Sequence, residues 1–349
     1  MIALRPLSTY ARRLAGPLAR PLPDFWSQAD EVWTMSPGEE HAYPAAIFLP
    51  GQLDRIESVV FDDLAGTVQA FTSGETRPLD PTLAARFRDV ILYDGVLYQG
   101  QAVHHLRSRQ RWLPMPLTSG PRLSGALYDS WIGLRYFGNW LMDDCETYRL
   151  AEQVGQPVTI RPDSAGHRAD YESRLSMTPL RVDSAHFDEL VLFKDYSNNA
   201  GRRARAADRR RRLTAGVDAT THPGVFLLRG STGDPRLLKN ETALAERLWR
   251  RHGITAFNAE TRDVAGLIQA CAGARLVIGV EGSQLTHALA AMPPGGTMLG
   301  LFPPDRVTAA MKLMTDRLGL HFALVIGTGG ADGFSVDADE VEATLDLLP

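Results

Sequence analysis

The residues with the clearest capacity for chemistry lie in a glycine-containing turn in the last third of the chain. An apolar run at residues 276–280 precedes Gly282 and Ser283, and a helical pattern follows at residues 285–291. In such a strand–turn–helix unit, the backbone N–H groups at the helix start and the helix dipole attract phosphate. Gly282 and Ser283 are therefore candidates for binding a phosphate or a ribose. The alternative is a crossover of the kind found in any α/β protein.

Three polar residues earlier in the chain could complete an anion-binding site. Arg229 directly follows an apolar run at residues 225–228, which places it at the carboxyl end of a predicted strand. Its guanidinium could bind two phosphate oxygens at once, and the alternative is a surface arginine or a salt bridge. Arg236 and Asn240 precede a helical pattern. They could contact the same anion, or Asn240 could serve only as the N-cap of that helix.

Glu281 is unusual in this group because a carboxylate beside a diphosphate is repelled, by on the order of 1 kcal/mol at 4 Å in water. It could accept a hydrogen bond from a ligand hydroxyl, pair with Arg229, or select an unusual ligand. The alternative is an acid at a helix start that the helix dipole stabilises.

The elements that would position these residues alternate between strands and helices in the second half of the chain. Apolar runs predict strands at 225–228, 254–257, 276–280, 297–302 and 321–326, and helical spacing predicts helices at 240–252, 263–272, 285–291 and 306–318. This alternation indicates a parallel sheet with helices on both faces, and so a Rossmann-like domain.

The first half of the chain is less regular but also predicts an α/β domain. Extended segments are predicted at 89–98, 126–132, 157–160 and 190–193, with helices at 139–154 and 167–175. We therefore expect an irregular region at 1–85 packed on a first domain at 86–195, an arginine-rich linker helix at 196–215, and a second domain at 216–349.

Composition sets the broad class. The chain has 349 residues, 44% of them hydrophobic and 22% charged, with a net charge of −4. No stretch approaches the roughly 18 to 20 apolar residues of a membrane span, and the arginine-containing N-terminus does not match a secretory signal. Cys145 and Cys271 have no disulfide-like or metal-like spacing, which fits a reducing compartment. We expect a cytoplasmic protein of two domains.

Four short blocks, in their order and spacing, resemble glycosyltransferase family 61. They lie at residues 138–143, at 225–229, at Arg236 with 240–241, and at 279–286 with the turn 292–295. The family pattern is changed at six positions, which are Asn139, Glu281, Ser283, Gln284, His287 and Gly300.

The resemblance implies a GT-B architecture, in which two Rossmann-like domains face each other across a cleft. The C-terminal domain would hold most of a nucleotide-sugar, and the reaction would need neither a metal nor another cofactor. The acceptor would be a surface polysaccharide or a lipid-linked glycan. The changes at Asn139, Glu281 and Gln284 leave open a domain that has lost catalysis and serves as a scaffold. A dinucleotide enzyme is disfavoured because no Gly-x-Gly-x-x-Gly turn is present.

An inverting transferase needs a base for the acceptor hydroxyl, and Asp143 and Asp144 are the first candidates. They follow Trp140 by three and four residues, so Trp140 and Asp144 share a helix face that could form a sugar-binding wall. The same pattern also fits a core aromatic beside an exposed acid. His104 and His105 are the alternative source of the base.

An arginine run at residues 202–212 contains seven arginines in eleven residues. Its alanine spacing predicts a helix, which would be either a solvated connection or a patch that contacts anionic lipid head groups or an acidic glycan. In the second case, Arg5, Arg12, Arg13 and Arg20 could add to the patch and place the protein peripherally at a membrane. We expect no nucleic acid partner, because the run lacks interleaved aromatic residues.

Overall fold

The computed structural model of the chain describes residues 22–111, 120–229, 236–330 and 332–349. The strands are β1 (Glu31–Ser36), β2 (Glu39–Ala42), β3 (Thr76–Leu79), β4 (Thr82–Tyr93), β5 (Val96–Gln99), β6 (Ala102–His105), β7 (Arg122–Leu127), β8 (Pro157–Thr159), β9 (Leu180–Arg181), β10 (Ser184–Lys194), β11 (Val225–Leu228), β12 (Thr255–Asn258), β13 (Leu276–Val280), β14 (Thr297–Phe302), β15 (His321–Ile326), β16 (Thr328–Gly330) and β17 (Gly333–Ser335).

The α-helices are α1 (Leu64–Thr72), α2 (Trp131–Arg135), α3 (Phe137–Asn139), α4 (Cys145–Val154), α5 (His167–Arg174), α6 (Ala200–Leu213), α7 (Glu241–His252), α8 (Val264–Cys271), α9 (Leu285–Leu289), α10 (Ala310–Leu318) and α11 (Ala338–Leu345). A π-helical turn, Trp140–Asp144, joins α3 to α4. No helix in the described ranges is both long enough and apolar enough to cross a bilayer.

The fold is mixed α/β, and its contacts divide the chain into two compact units. The first contains the described residues up to Glu39 together with Asp80–Arg205, and the second contains Glu40–Leu79 and Ala206–Pro349. The segment Glu40–Leu79 thus groups with the second unit, whereas we expected all of residues 1–85 to pack on the first. Short parallel bridges hold it there, from Ile47 to Ala323 and from Val59 to Val307.

The second unit contains a parallel sheet of five strands in the order β12-β11-β13-β14-β15. Every pairing along it is parallel. The central strands are apolar and fully buried, as expected of a sheet covered on both faces. Strands β11, β13, β14 and β15 have the bounds predicted from sequence. Helix α7 ends at Gly253, whose φ of +68° is the left-handed conformation that glycine adopts at a helix C-terminus.

The first unit contains a mixed sheet rather than a fully parallel one. Strands β10, β7, β8 and β9 are parallel neighbours, whereas β4 pairs antiparallel with β1, β5 and β10. The predicted single extended segment at 89–98 is a hairpin that turns at Asp94 and Gly95, with φ of +50° and +72°. Positive φ at both turn residues is typical of a type I′ hairpin.

The predicted extended segment at 126–132 was wrong at its end. Strand β7 stops at Leu127, and α2 begins at Trp131 because the Ser130 side chain caps the helix by accepting a hydrogen bond from the backbone N–H of Gly133. The irregular region at 1–85 also contains regular elements, namely β1, β2, β3, the start of β4, and α1.

The arginine-rich helix α6 occupies most of the predicted linker. Of the two alternatives, a solvated connection or an anion-binding patch, neither holds for one face of this helix. Arg202, Arg205 and Arg209 are buried, as are Ala206 and Leu213. Arg5, Arg12, Arg13 and Arg20 lie outside the described residues.

Candidate functional site

The predicted phosphate residues of the second unit lie where β11 and β13 end. Because these strands are parallel neighbours, their carboxyl ends meet at one edge of the sheet. Arg229 follows β11, and its Nη1 donates to Gln284 Oε1 at 2.6 Å. Gln284 is held in turn by a bond from its Nε2 to the carbonyl of Val280 at 2.5 Å. The guanidinium is therefore fixed over the turn that follows β13.

The backbone of Arg229 is fixed as well. Its N–H donates to Glu241 Oε1 at 2.7 Å. Glu241 is the first residue of α7, and burial raises the pKa of its carboxyl, while the bond from Arg229 opposes that rise. Glu241 thus connects the end of β11 to the start of α7.

Gly282 provides the space for the Arg229 side chain. A Cβ at this position would lie 2.6 Å from Arg229 Nη1 and 2.5 Å from Gln284 Oε1. Helix α9 starts at Leu285, so Gly282 and Ser283 lie in the turn before the helix rather than in its first turn. The structure brings Arg229, Gly282 and Gln284 together, with Ser283 adjacent in the same turn.

Glu281 forms an ion pair with Arg236. Both side chains are buried, at 6% and 9% exposure, so the negative charge of Glu281 is offset within the site. The sequence suggested that Glu281 could pair with Arg229. The structure shows a pairing with an arginine, and the partner is Arg236. The backbone of Glu281 continues the sheet, with its N–H donating to the carbonyl of Leu301 at 3.0 Å.

Asn240 occupies the N-cap position of α7, but its side chain makes no capping bond there. Its Nδ2 donates to the carbonyl of Val336 at 2.7 Å, and its Oδ1 accepts from the N–H of the same residue at 3.3 Å. The predicted N-cap position is therefore confirmed, but the side-chain capping bond is not made. Asn240 ties the start of α7 to the chain after β17.

Of the first-unit candidates, Asp143 keeps partial solvent exposure, with 15% of its side chain accessible. Its carboxylate accepts from Arg202 Nη2 at 2.6 Å and from Asn139 Nδ2 at 2.9 Å. Arg202 also lies 3.6 Å from Glu146 and 3.9 Å from Asp195. Arg202, on the buried face of α6, therefore provides the positive charge that pairs with the acids around Asp143.

Asp144 is buried, with 1% of its side chain exposed. It accepts bonds from Ser130 Oγ at 2.6 Å and from Arg161 Nη2 at 3.1 Å. The same Arg161 lies 3.6 Å from Asp129, so two carboxylates share one guanidinium. Burial raises the pKa of Asp144 well above its ordinary value, and the charge of Asp129 raises it further. Trp140 is also fully buried, which makes it a core aromatic rather than an open wall for a sugar.

The cluster around Asp144 lies at the carboxyl edge of the first sheet. Asp129 comes two residues after β7 and Arg161 two residues after β8, and these strands are parallel neighbours. Burial also raises the pKa of Asp129, although Arg161 and hydrogen bonds oppose the rise. The alternative base His104 lies in β6, packed beside the rings of Phe25 and Trp26, and burial lowers its pKa.

Sequence reasoning missed several residues of these clusters. Gln284 was treated only as a departure from a family pattern, yet it holds Arg229. Arg161 was not singled out, although it follows the predicted extended segment 157–160, a position at which functional side chains gather in parallel sheets. Asp129 was missed because the predicted segment 126–132 included it, whereas β7 ends at Leu127. In the described ranges, no group of three or more His, Cys, Asp or Glu side chains is arranged to hold a metal ion.

Comparison with known proteins gives one decisive match. The sequence model of the family Glycosyltransferase 61 matches residues 123–299, about half of the chain. Among solved structures, the E. coli heptosyltransferase WaaC with ADP has 11% identity and a TM-score of 0.28, covering 59% of this chain and 70% of that one. The flavodiiron core of Flv1 from Synechocystis sp. PCC6803 has 11% identity and a TM-score of 0.24, covering 76% and 64%. Both TM-scores lie below 0.5.

No curated protein matches the chain. The family match includes the first-unit acids, Arg229, Arg236, Asn240 and the turn after β13. It confirms the resemblance drawn from the four sequence blocks. The chain belongs to glycosyltransferase family 61, and the protein is a glycosyltransferase.

Proposed function

We propose that the protein is an inverting, metal-independent glycosyltransferase that moves a sugar from a nucleotide-sugar to a surface polysaccharide or a lipid-linked glycan. The proposal includes the GT-B arrangement that the resemblance implies, with the second domain holding the donor. It also includes action in the cytoplasm, with the acceptor at the inner face of a membrane.

The main observation in favour of a donor site is the position of the Arg229 guanidinium, which is held above the turn at Gly282 and Ser283. A guanidinium offers paired N–H donors that match phosphate oxygens. Its bond to Gln284 and the backbone bond to Glu241 orient it before any ligand arrives. A pre-oriented donor loses less conformational entropy on binding, which supports a role for Arg229 in holding the leaving diphosphate.

The ion pair between Glu281 and Arg236 reduces the repulsion that the Glu281 carboxylate would otherwise exert on a bound diphosphate. An unpaired carboxylate one residue before Gly282 would repel a diphosphate. Since Arg236 offsets the charge of Glu281, the repulsion between that carboxylate and a diphosphate is reduced. Arg236 therefore acts on the donor through Glu281, as a positioning residue.

For the base we favour Asp143 over Asp144. A base must reach the acceptor hydroxyl, and only 1% of the Asp144 side chain is exposed. Asp143 retains exposure. Its bonds from Arg202 and Asn139 orient the carboxylate.

The donor site is tested by thermal unfolding in the presence of UDP, GDP, CMP, dTDP and NAD. A ligand that binds only the folded protein, at about 100 times its Kd, stabilises it by about 2.7 kcal/mol. We expect one nucleoside phosphate to raise the melting temperature of the wild type and to have little effect on Arg229→Ala.

The matched control is Arg250→Ala. Arg250 lies in α7 and is 70% exposed, where it pairs with Glu246 on the helix surface. This variant should respond to the nucleotide as the wild type does. The proposed donor site is contradicted if no nucleotide shifts the wild type, or if Arg229→Ala and Arg250→Ala respond equally.

A further inference from the structure

A cavity opens in the second unit at the carboxyl ends of β14 and β15. Its volume is about 740 Å³, and its lining includes Pro304 and Gly327, which follow these two strands. Ligand pockets commonly measure roughly 300 to 1,000 Å³. The carboxyl edge of an open parallel sheet is also where such proteins bind their ligands.

The lining of this cavity is acidic. Among the described residues it includes four carboxylates, which are Asp54, Glu57, Asp337 and Glu340, and one guanidinium, that of Arg55. Arg55 and Glu340 form a two-bonded ion pair, with N···O distances of 2.8 and 2.5 Å. Glu340 is therefore neutralised by Arg55.

The remaining three acids of the lining differ in their hydrogen bonds and in their solvent exposure. Asp337 caps α11 by accepting from the N–H of Asp339 at 2.8 Å. Asp54 and Glu57 belong to exposed positions of the segment before α1. The hydroxyls of Thr328 and Ser335 also lie in the lining. The cavity thus offers carboxylate and hydroxyl oxygens to a ligand, with a net negative charge.

This lining selects a class of ligand. Carboxylates accept charge-assisted hydrogen bonds from hydroxyl or ammonium groups, which a neutral sugar or an amino sugar supplies in number. The same charges repel a phosphate or a carboxylate placed among them. A uronic acid or another acidic sugar is therefore disfavoured.

The cavity is joined to the phosphate residues by a short stretch of chain. Arg236 pairs with Glu281, Leu238 forms a bridge with Phe334, and Asn240 bonds to Val336, which lines the cavity. Strands β13, β14 and β15 are neighbours spaced at about 4.8 Å. The end of β13 is therefore about 5 to 10 Å from the strand ends at the cavity, a separation that a diphosphate-linked sugar can span.

We propose that this cavity binds the glycosyl group of the donor, that it admits neutral or amino sugars, and that Asp54 and Glu57 exclude acidic ones. This inference rests on the proposed function, because it assigns the sugar end of a nucleotide-sugar whose phosphates bind near Arg229. Both specificity residues come from the segment Glu40–Leu79, which lies outside the region that matches the family.

The test uses a cysteine placed at the rim of the cavity. Cys145 and Cys271 are buried, so Thr328→Cys adds an exposed thiol that reacts with a maleimide. Thr220→Cys is the matched control, since Thr220 is exposed and precedes β11, at the opposite edge of the sheet. The labelling rate is measured with UDP, GDP and dTDP, with UDP-glucose, GDP-mannose and dTDP-glucose, and with UDP-glucuronate.

We expect at least one neutral nucleotide-sugar to slow the labelling of Thr328→Cys by about fivefold or more at saturation, estimated from the burial of a ligand in such pockets. Its nucleotide alone and UDP-glucuronate should not slow it, and Thr220→Cys should label at the same rate throughout. Asp54→Asn with Glu57→Gln should weaken binding of the protecting nucleotide-sugar by about tenfold and leave binding of its nucleotide unchanged.

Protection by nucleotides and nucleotide-sugars alike, protection by UDP-glucuronate, or unchanged affinity in the double variant would overturn the inference. If a nucleotide raises the melting temperature but no nucleotide-sugar protects Thr328→Cys, the assignment of the cavity to the glycosyl group is contradicted, whereas the proposed donor site at Arg229 is retained. If no nucleotide or nucleotide-sugar changes either the melting temperature or the labelling, the proposed function fails and this inference fails with it.

Discussion

At the scale of single residues, the polar groups at the strand ends of the second unit act in pairs, because Gln284 holds Arg229 and Arg236 offsets the charge of Glu281. Arg229 and Gly282 were both selected from sequence, and the structure places them in contact distance. Arg229 was the arginine suggested as a partner of Glu281, whereas the observed ion pair is with Arg236. Residue type and strand position can be read from a sequence, whereas the choice between two nearby arginines requires three-dimensional coordinates.

The buried carboxyl of Asp144 makes the stability of the protein depend on pH. Its pKa in the folded state is raised by burial and by Asp129. A carboxyl of this kind contributes stability that is fully present below the unfolded pKa of about 3.9 and is lost as the pH rises through the folded pKa. Asp144→Asn removes this titration. The free energy of unfolding of the variant should therefore rise relative to that of the wild type as the pH increases above the unfolded pKa, by up to about 1.4 kcal/mol per pH unit.

Urea unfolding at several pH values measures this difference, and Glu342→Gln is a control of opposite sign. The bond from Arg247 lowers the pKa of Glu342 to about 2. Its contribution is present above the unfolded pKa and is lost as the pH falls toward the folded value. The assignment for Asp144 is contradicted if the difference between Asp144→Asn and the wild type stays constant with pH or falls as the pH rises.

At the scale of elements, the amino-acid composition of α6 predicts an exposed helix, whereas the spacing of its arginines indicates one buried face. The arginine run was interpreted by its charge, yet Arg202, Arg205 and Arg209 recur at the spacing of one helix face. That face is buried, and Arg205 meets both carboxylate oxygens of Asp195 at 2.7 Å. The exposed end of the helix is partly neutralised, since Arg211 and Arg212 pair with Asp208. Any contact with an anionic membrane is therefore confined to the cations left on the other face.

Four strands of the second unit, β11, β13, β14 and β15, were predictable because each is an apolar, largely buried run that ends at a glycine, a proline or a charged residue. The hairpin of β4 and β5 was also readable, since Asp94–Gly95 between apolar runs is a strong hairpin signal. Strand β10 pairs with both β4 and β7, which brings a late strand between two early ones, and no local pattern indicates that order.

The turn after β13 gives a prediction at this scale. In Gly282→Ala, the added methyl would meet Arg229 Nη1 and Gln284 Oε1, both of which are ends of flexible side chains. These ends can move, but the φ of Gly282 is +157°, which a residue with a side chain rarely adopts. We therefore expect some loss of stability together with a loss of nucleotide binding of about tenfold or more, comparable to a lost charge-assisted hydrogen bond.

Titration calorimetry with the nucleotide found by thermal unfolding measures this loss. Gly74→Ala is the matched control, because its nearest neighbours would lie 3.9 Å or more from the added methyl. It should bind the nucleotide as the wild type does. Wild-type affinity in a folded Gly282→Ala protein would show that Arg229 does not need this turn to hold its ligand.

At the scale of the whole molecule, the chain order does not follow the division into units. The segment Glu40–Leu79 precedes most of the first unit but belongs to the second. It contributes Arg55, which pairs with Glu340, and Phe71, whose fully buried ring stacks on Phe322 at a centroid distance of 5.8 Å. Such distant contacts leave no periodic signal in the sequence, which explains why residues 1–85 were assigned to the first domain.

The second unit should consequently be incomplete without this segment. Removal of a buried phenylalanine alone costs about 3 to 5 kcal/mol, and loss of the segment also exposes the edge of the sheet at Ala323 and leaves Glu340 unpaired. Residues 206–349 expressed alone should therefore unfold at a much lower temperature, or without a cooperative transition. Co-expression with residues 40–79 should restore cooperative unfolding, and the same segment carrying Phe71→Ala should restore less of it. If residues 206–349 alone unfold cooperatively at a temperature that the segment does not raise, the segment is not part of this unit's core.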